Sequence, residues 1–154
     1  MLWAVSENNT PTALKLVGLL LDHSADINKQ GGENGCALVA AIITCNLHVV
    51  SFLLEHGADV NVCGGRWGCP LRAASARGDI MIVELLLQHK PDVNSRQWAL
   101  GPAIARGYKT IVDLLLEHGA DGTQALKDAD DLILMAISIK SSLIRGSVEQ
   151  PRKV

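Results

Sequence analysis

Apolar residues recur along this chain at spacings of three and four. Ile80, Val83, Leu86 and Leu87 form one such stripe, and Leu126, Ala129, Ile133, Ala136 and Ile137 form another. Each stripe predicts a helix with one buried side. The stretch Ala13 to Leu21 predicts a further helix, and the segment around Leu2 to Glu7 a short one before it. Leu71, Ala73 and Ala74 give a different kind of helix, with a thin, smooth side that a neighbour can approach closely. Pro70 can open that helix, because the N–H it lacks would have no partner in a first turn. Gly78-Asp79 closes it. Gly64-Gly65 permits the positive φ angles of a tight hairpin turn, so residues 61–69 are expected to project as a finger.

The pattern repeats. LLLDHSADIN (Leu19 to Asn28), FLLEHGADVN (Phe52 to Asn61) and LLLQHKPDVN (Leu85 to Asn94) recur, and LLLEHGADG covers Leu114 to Gly122. Asn28, Asn61 and Asn94 stand 33 residues apart. A second string, GGENGCALVAA from Gly31 to Ala41, recurs in the same register as GGRWGCPLRAA from Gly64 to Ala74. Two strings agreeing on one period make coincidence an untenable account. Units of this length, with a Gly-marked turn, a GxxLxAA helix start and an LLLxxGADVN ending, resemble ankyrin repeats in the dialect common in long fungal arrays. The resemblance covers residues 12–122. It implies an all-α, ankyrin-repeat solenoid of helix-turn-helix units with short β-hairpin finger loops.

Departures from the family pattern are specific. The Thr-Pro-Leu-His tetrapeptide survives only as GCAL at 35–38 and GCPL at 68–71. The glycine ending the first helix stands at Gly78 and Gly107, but its counterpart is Cys45, a costlier residue if that corner needs a positive φ. Gly57 and Gly119 supply left-handed caps to the second helices, whereas Lys90-Pro91 breaks that rule. Aligning His118 on His89 shows that four residues are lost between Asn94 and Leu100, so that finger is expected to be short or absent. The chain then divides into a degenerate N-terminal capping repeat (1–28), two repeats (29–61 and 62–94), a shortened repeat (95–122), a helical C-terminal cap (123–145) and a flexible tail (146–154). No unit can bury its stripe alone, so stability is expected from stacking.

Composition supports helices. Hydrophobic residues make up 48% of the 154 but aromatic residues only 3%, so the core must be built from Leu, Ile, Val and Ala. The longest strongly apolar run, Leu132 to Ile139, is under half of a membrane crossing, and no basic-then-apolar pattern precedes a cleavage site in the first residues. An intracellular, cytoplasmic protein with no membrane partner is expected. Its four cysteines are then expected to be reduced, since nothing places the chain in an oxidising compartment and buried thiols are common; with no CxxC spacing, a zinc site is not expected.

Catalytic and metal chemistry find no footing. His23, His56, His89 and His118 share one repeat position, but neighbouring units would place them about 10 Å apart, too far to share a zinc ion bound at about 2 Å. They read as helix-end residues interacting with the last carbonyls. The GG pairs lack phosphate-loop spacing, and neither Glu55-His56 nor Glu117-His118 has acid/base geometry on a helix end. No enzyme activity, cofactor or metal is expected. The spacing Lx₅DΦN that ends at Asn28, Asn61 and Asn94 is similar to asparagine-hydroxylation sites of animal ankyrin repeats. The favoured alternative is that each Asn ties down its finger through backbone hydrogen bonds.

The resemblance implies that partners dock on finger tips and the concave first-helix face. Carried over by position, that surface holds Gln30, Glu33, Ile43 and Thr44, then Cys63, Arg66, Trp67, Arg72, Ala76 and Arg77, then Arg96, Trp98, Ala105 and Arg106, with Thr10 and Pro11 extending it. The net charge of −2 hides an uneven distribution: residues 1–61 carry 2 basic and 6 acidic side chains, residues 62–110 carry 7 and 3, and residues 111–154 carry 5 and 7. Arginines beside tryptophan suit a protein-interaction module, a scaffold or adaptor, whose protein partner has an acidic surface. Ordinary solvated faces are the alternative. A fragment of a larger array that self-associates through its terminal segments, or serves a flanking domain, is a second reading. Nucleic acid is the weaker rival, because so few phosphates could be neutralised.

Overall fold

The computed structural model describes residues 10–95 and 99–122. Seven helices occupy them: α1 (Thr10–Asp22), α2 (Ala37–Ile43), α3 (Leu47–Glu55), α4 (Pro70–Arg77), α5 (Ile80–Gln88), α6 (Leu100–Ala105) and α7 (Lys109–Glu117). They stack in two rows. The short helices α2, α4 and α6 form one row, and α1, α3, α5 and α7 form the other, each helix packing on the next of its row. Within a unit α2 pairs with α3, α4 with α5 and α6 with α7. The expected helices Leu2 to Glu7 and 123–145, and the tail 146–154, lie outside the described residues.

The core runs between the rows. Val49, Val50 and Leu53 of α3, Ile82, Val83 and Leu86 of α5, and Ile111, Val112 and Leu115 of α7 are buried against Leu38, Ala41 and Ile42 of α2, Leu71 and Ala74 of α4, and Leu100 and Ala103 of α6. Burial of this kind stabilises by about 1.5–3 kcal/mol per large aliphatic side chain. One expectation needs correction. Ile80 is 38% exposed and Ile82, one turn before the buried Leu86, takes the inward place; the Asp79 carboxylate caps Ile82 N–H at 3.1 Å. Asn46 does the same for α3, accepting from Val49 N–H at 3.2 Å.

Corners between the helices turn through the left-handed region. Cys45 (φ 53°), Gly78 (φ 79°) and Gly107 (φ 71°) occupy the first corner, so Cys45 does adopt the conformation that favours glycine. After the second helices the same conformation falls on Ser24, Gly57, Lys90 and Gly119. At the ends of those helices, Nδ1 of His23, His56 and His118 lies 2.8, 2.7 and 2.8 Å from the carbonyls of Leu19, Phe52 and Leu114, the helix-end arrangement that the sequence suggested.

Asparagines join unit to unit. Asp59 N–H donates to Asn28 Oδ1, Asp92 N–H to Asn61 Oδ1 and Asp121 N–H to Asn94 Oδ1, each at 2.7 Å. Asn28 Nδ2 donates to the Gly57 carbonyl at 3.2 Å, and Asn94 Nδ2 to the Gly119 carbonyl at 2.9 Å. These side-chain bonds thus reach the end of the next unit's second helix and not, as expected, the backbone of their own finger.

Among the described residues the fingers are turns without extended strands. Gly31 N–H meets the Gly35 carbonyl at 2.7 Å in the first finger; a single antiparallel bridge, Gly64–Gly68, closes the second. Cys63 and Cys69 flank that bridge and are joined as a disulfide, their Cα atoms 4.1 Å apart. The expectation of four reduced cysteines fails here: the hairpin, and no CxxC spacing, brings the sulfurs together. Cys36 and Cys45 are free thiols.

Candidate partner-binding surface

The surface is built from two fingers and the ends of the short helices. Gly65 lets the second finger lie flat on the first, since a Cβ there would come within 2.5 Å of the Glu33 carbonyl oxygen, Asn34 C and Gly35 N. Arg66 N–H then donates to the Glu33 carbonyl at 3.0 Å, and the Arg66 guanidinium pairs with the Glu33 carboxylate. That guanidinium also sits over the Trp67 ring, 5.0 Å from its centroid. With the two side chains 60% and 71% exposed, the ion pair itself contributes little, and stacking and the backbone bond do more to hold the tip.

Trp67 is half-buried against the core, and its indole N–H is buried without an acceptor among the described residues. Arg72, also half-buried, donates through Nη1 to the Trp67 carbonyl at 3.0 Å. Arg66 and Arg72 thus brace the finger and are only partly available to a partner. Arg77 and Arg106 belong to another part of the surface. They stand exposed at matched positions, at the C-terminal ends of α4 and α6, with Arg77 Nη2 3.1 Å from Cys45 Sγ.

The remaining expected positions divide. Gln30, Glu33 and Ala105 are exposed, and Ile43 and Thr44 are half-buried, with Thr44 Oγ1 donating to the Ala41 carbonyl at 2.9 Å. Ala76 is buried and contributes no surface, and Cys63 is tied into the disulfide. Thr10 Oγ1 accepts from Asn46 Nδ2 at 3.2 Å, and Pro11 is exposed. Arg96 and Trp98 lie outside the described residues. The pairing of Arg66 with Glu33 was readable, because residues one period apart face each other in a stack; the disulfide needed a search across the finger.

A second concavity opens at the other end of the stack. It is an apolar groove of about 270 Å³ between α1, α2 and α3, lined by Val17, Leu20, Ile27, Ala37, Ala40 and Leu53 among others. Leu16 and Leu19 are exposed on α1, at the same end. Among the described residues no group of three or more His, Cys, Asp or Glu is placed to hold a metal ion. Nor is any helix among them long and apolar enough to cross a membrane.

Residues 38–87 match the family model described as ankyrin repeats (many copies). The structure superposes on the crystal structure of the human ASB11 ankyrin repeat domain with a TM-score of 0.62 at 21% sequence identity, covering 71% of this chain and 51% of that one. The fold is that of an ankyrin-repeat domain. This all-α ankyrin-repeat solenoid spans about half the length of the domain it matches. No curated protein matches the sequence. Because 377 chains of solved structures match the ankyrin-repeat fold seen here, the fold by itself names no partner.

Proposed function

We propose that the chain is a non-enzymatic protein-interaction module, acting as a scaffold or adaptor, that binds an acidic protein surface through its fingers and first-helix row. The observation that carries this reading is the matched pair Arg77 and Arg106, exposed at the C-terminal ends of adjacent short helices, in a row whose finger tip is already held in place. Holding the tip beforehand lowers the entropy lost on docking. Guanidinium groups at equivalent positions of two units can each take a carboxylate in bidentate fashion. Gln30, Glu33, Ile43, Thr44, Trp67 and Arg72 would form the surrounding contact area. An intracellular, cytoplasmic setting goes with this reading, and the LLLxxGADVN endings support a relation to long fungal arrays.

The double variant Arg77→Glu/Arg106→Glu tests it. Capture from lysate at low and moderate salt, with and without nuclease, should retain a nuclease-insensitive protein on the wild type only. Cross-links from that protein should map to the first-helix row, while circular dichroism of the variant stays unchanged. Nuclease-sensitive retention would transfer the surface to nucleic acid. A second reading rests on the open groove and the exposed Leu16 and Leu19: the α1 end joins another copy or a neighbouring segment of a larger array. Light scattering of wild type beside Leu19→Lys separates this, because only an assembly through that end is dispersed by the charge.

A further inference from the structure

The repeat supplies its own comparison for the disulfide. The first finger carries Gln30 and Cys36 where the second carries Cys63 and Cys69. It closes through the Gly31–Gly35 hydrogen bond without any cross-link. The turn therefore does not require a covalent bond in order to form. Cys36 also shows what a thiol does at this place: its Sγ accepts Val39 N–H at 3.5 Å and starts α2. Cys69 instead gives its sulfur to Cys63, and α4 starts without a side-chain cap bond.

We propose that Cys63 and Cys69 form a reversible dithiol–disulfide site that controls how firmly the Arg66–Trp67 finger tip is held against the preceding finger. Its consequence for docking rests on the partner surface proposed above; the chemistry does not. Cys63 is half-buried whereas Cys69 is 6% exposed, so a thiolate from a dithiol reductant reaches Cys63 Sγ first. A new bond forms from the reductant sulfur to Cys63, the Cys63–Cys69 bond breaks, and its electron pair leaves on Cys69 Sγ, which takes a proton. The second thiol of the reductant then displaces Cys63, which takes the second proton, and the reductant ends as a cyclic disulfide. Two electrons and two protons have moved. Glutathione disulfide drives the reverse reaction.

Reduction changes the finger through a short path. Once free, Cys69 Sγ stands three residues before Arg72, as Cys36 stands before Val39, and can take the Arg72 N–H into a cap. Arg72 is the residue whose guanidinium holds the Trp67 carbonyl. The tip then loses its covalent closure and keeps the Gly64–Gly68 bridge, the Arg66 backbone bond, the exposed ion pair and the contacts of Trp67 with Arg66 and Arg72. Persistent disulfides are rare in the cytoplasm, where those that form are mostly transient or redox-sensing, so the proposed location agrees with a reversible bond.

The test uses the full chain in a Cys36→Ser/Cys45→Ser background. After incubation with glutathione disulfide, a non-reducing tryptic map should show the Gln30–Arg66 and Trp67–Arg72 peptides joined, and dithiothreitol should separate them in the folded protein. Trypsin cleavage after Arg66 under native conditions should quicken at least fivefold on reduction, with the helical signal unchanged. Cys63→Ser should cut at the fast rate whether or not dithiothreitol is present. Peptides that never join, a bond that resists dithiothreitol in the folded chain, or equal cleavage rates in the two states would each overturn the proposal. None of these readouts needs a partner, so loss of capture with an intact redox response would strike only the interaction reading.

Discussion

A single backbone angle separates two otherwise equivalent positions. Gly57 and Lys90 both follow a second helix with positive φ, 87° and 52°. No atom lies within 4 Å of where a Gly57 Cβ would stand, so a substitution there reports conformational strain alone. Gly57→Ala should cost about 1 kcal/mol and Lys90→Gly should gain up to about 1 kcal/mol, read as opposite shifts of the urea midpoint. The Lys90 irregularity was readable from the missing glycine; the Cys63–Cys69 bond was not, because residue spacing along a chain says little about which sulfurs a turn will bring together. Cys36 adds a pH effect. Burial is the main cause that raises its thiol above the ordinary value of 9.0; Asp59 adds to the rise, and hydrogen bonds from Val39 and Leu38 partly offset it. The unfolded chain then loses this proton first as pH climbs through about 9, so the contribution is intact below that pH and declines above it. Between pH 8 and 10 the wild type should lose more stability than Cys36→Ser, measured by urea denaturation at each pH.

Helices in this protein are held by their ends as well as by their stripes. The ring of Tyr108, at the start of α7, packs on Gly78 at the end of α4, where an added Cβ would come within 2.6 Å of it. Gly78→Ala should therefore cost more than Gly57→Ala, about 2–3 kcal/mol, because overpacking is added to the strained φ. Asn28→Ala removes the acceptor for Asp59 N–H and the donor to the Gly57 carbonyl, and should cost about 1–2 kcal/mol in the same denaturation assay. Much of this level was legible beforehand. The 33-residue recurrence of Asn28, Asn61 and Asn94 located the unit boundaries, and Pro70 and Gly78 bounded α4. What a stripe cannot specify is phase: Ile80 and Ile82 are equally apolar, and the packing of α5 on α3, α4 and α7 buries Ile82.

Across the whole stack, stability is a sum over neighbours; among the described helices α3, α4 and α5 have a neighbour on each side of their row and α1 on one. Among the described helices α1 packs chiefly on α3, beside an open groove. Amide exchange should accordingly be fastest in α1 and slowest in α4 and α5, and Leu86→Ala, at a site with 0% exposure, should accelerate exchange in α3 and α7 as well as α5. The binding surface was less legible than the architecture. Position within the repeat indicated where Arg66, Arg72, Arg77 and Arg106 would stand, but only the contacts of Trp67 and Glu33 show that the first two brace a finger. The asparagine bonds have a mechanical meaning as well. They lie along the margin of the stack where fingers meet helix ends, while the short-helix row is joined by smooth alanine-rich packing. A strip stitched at every boundary along one margin and more sparsely along the other, where the Arg77–Cys45 and Arg66–Glu33 bonds cross between units, resists bending unequally: under tension it yields first on the sparsely stitched side, pivoting about the other.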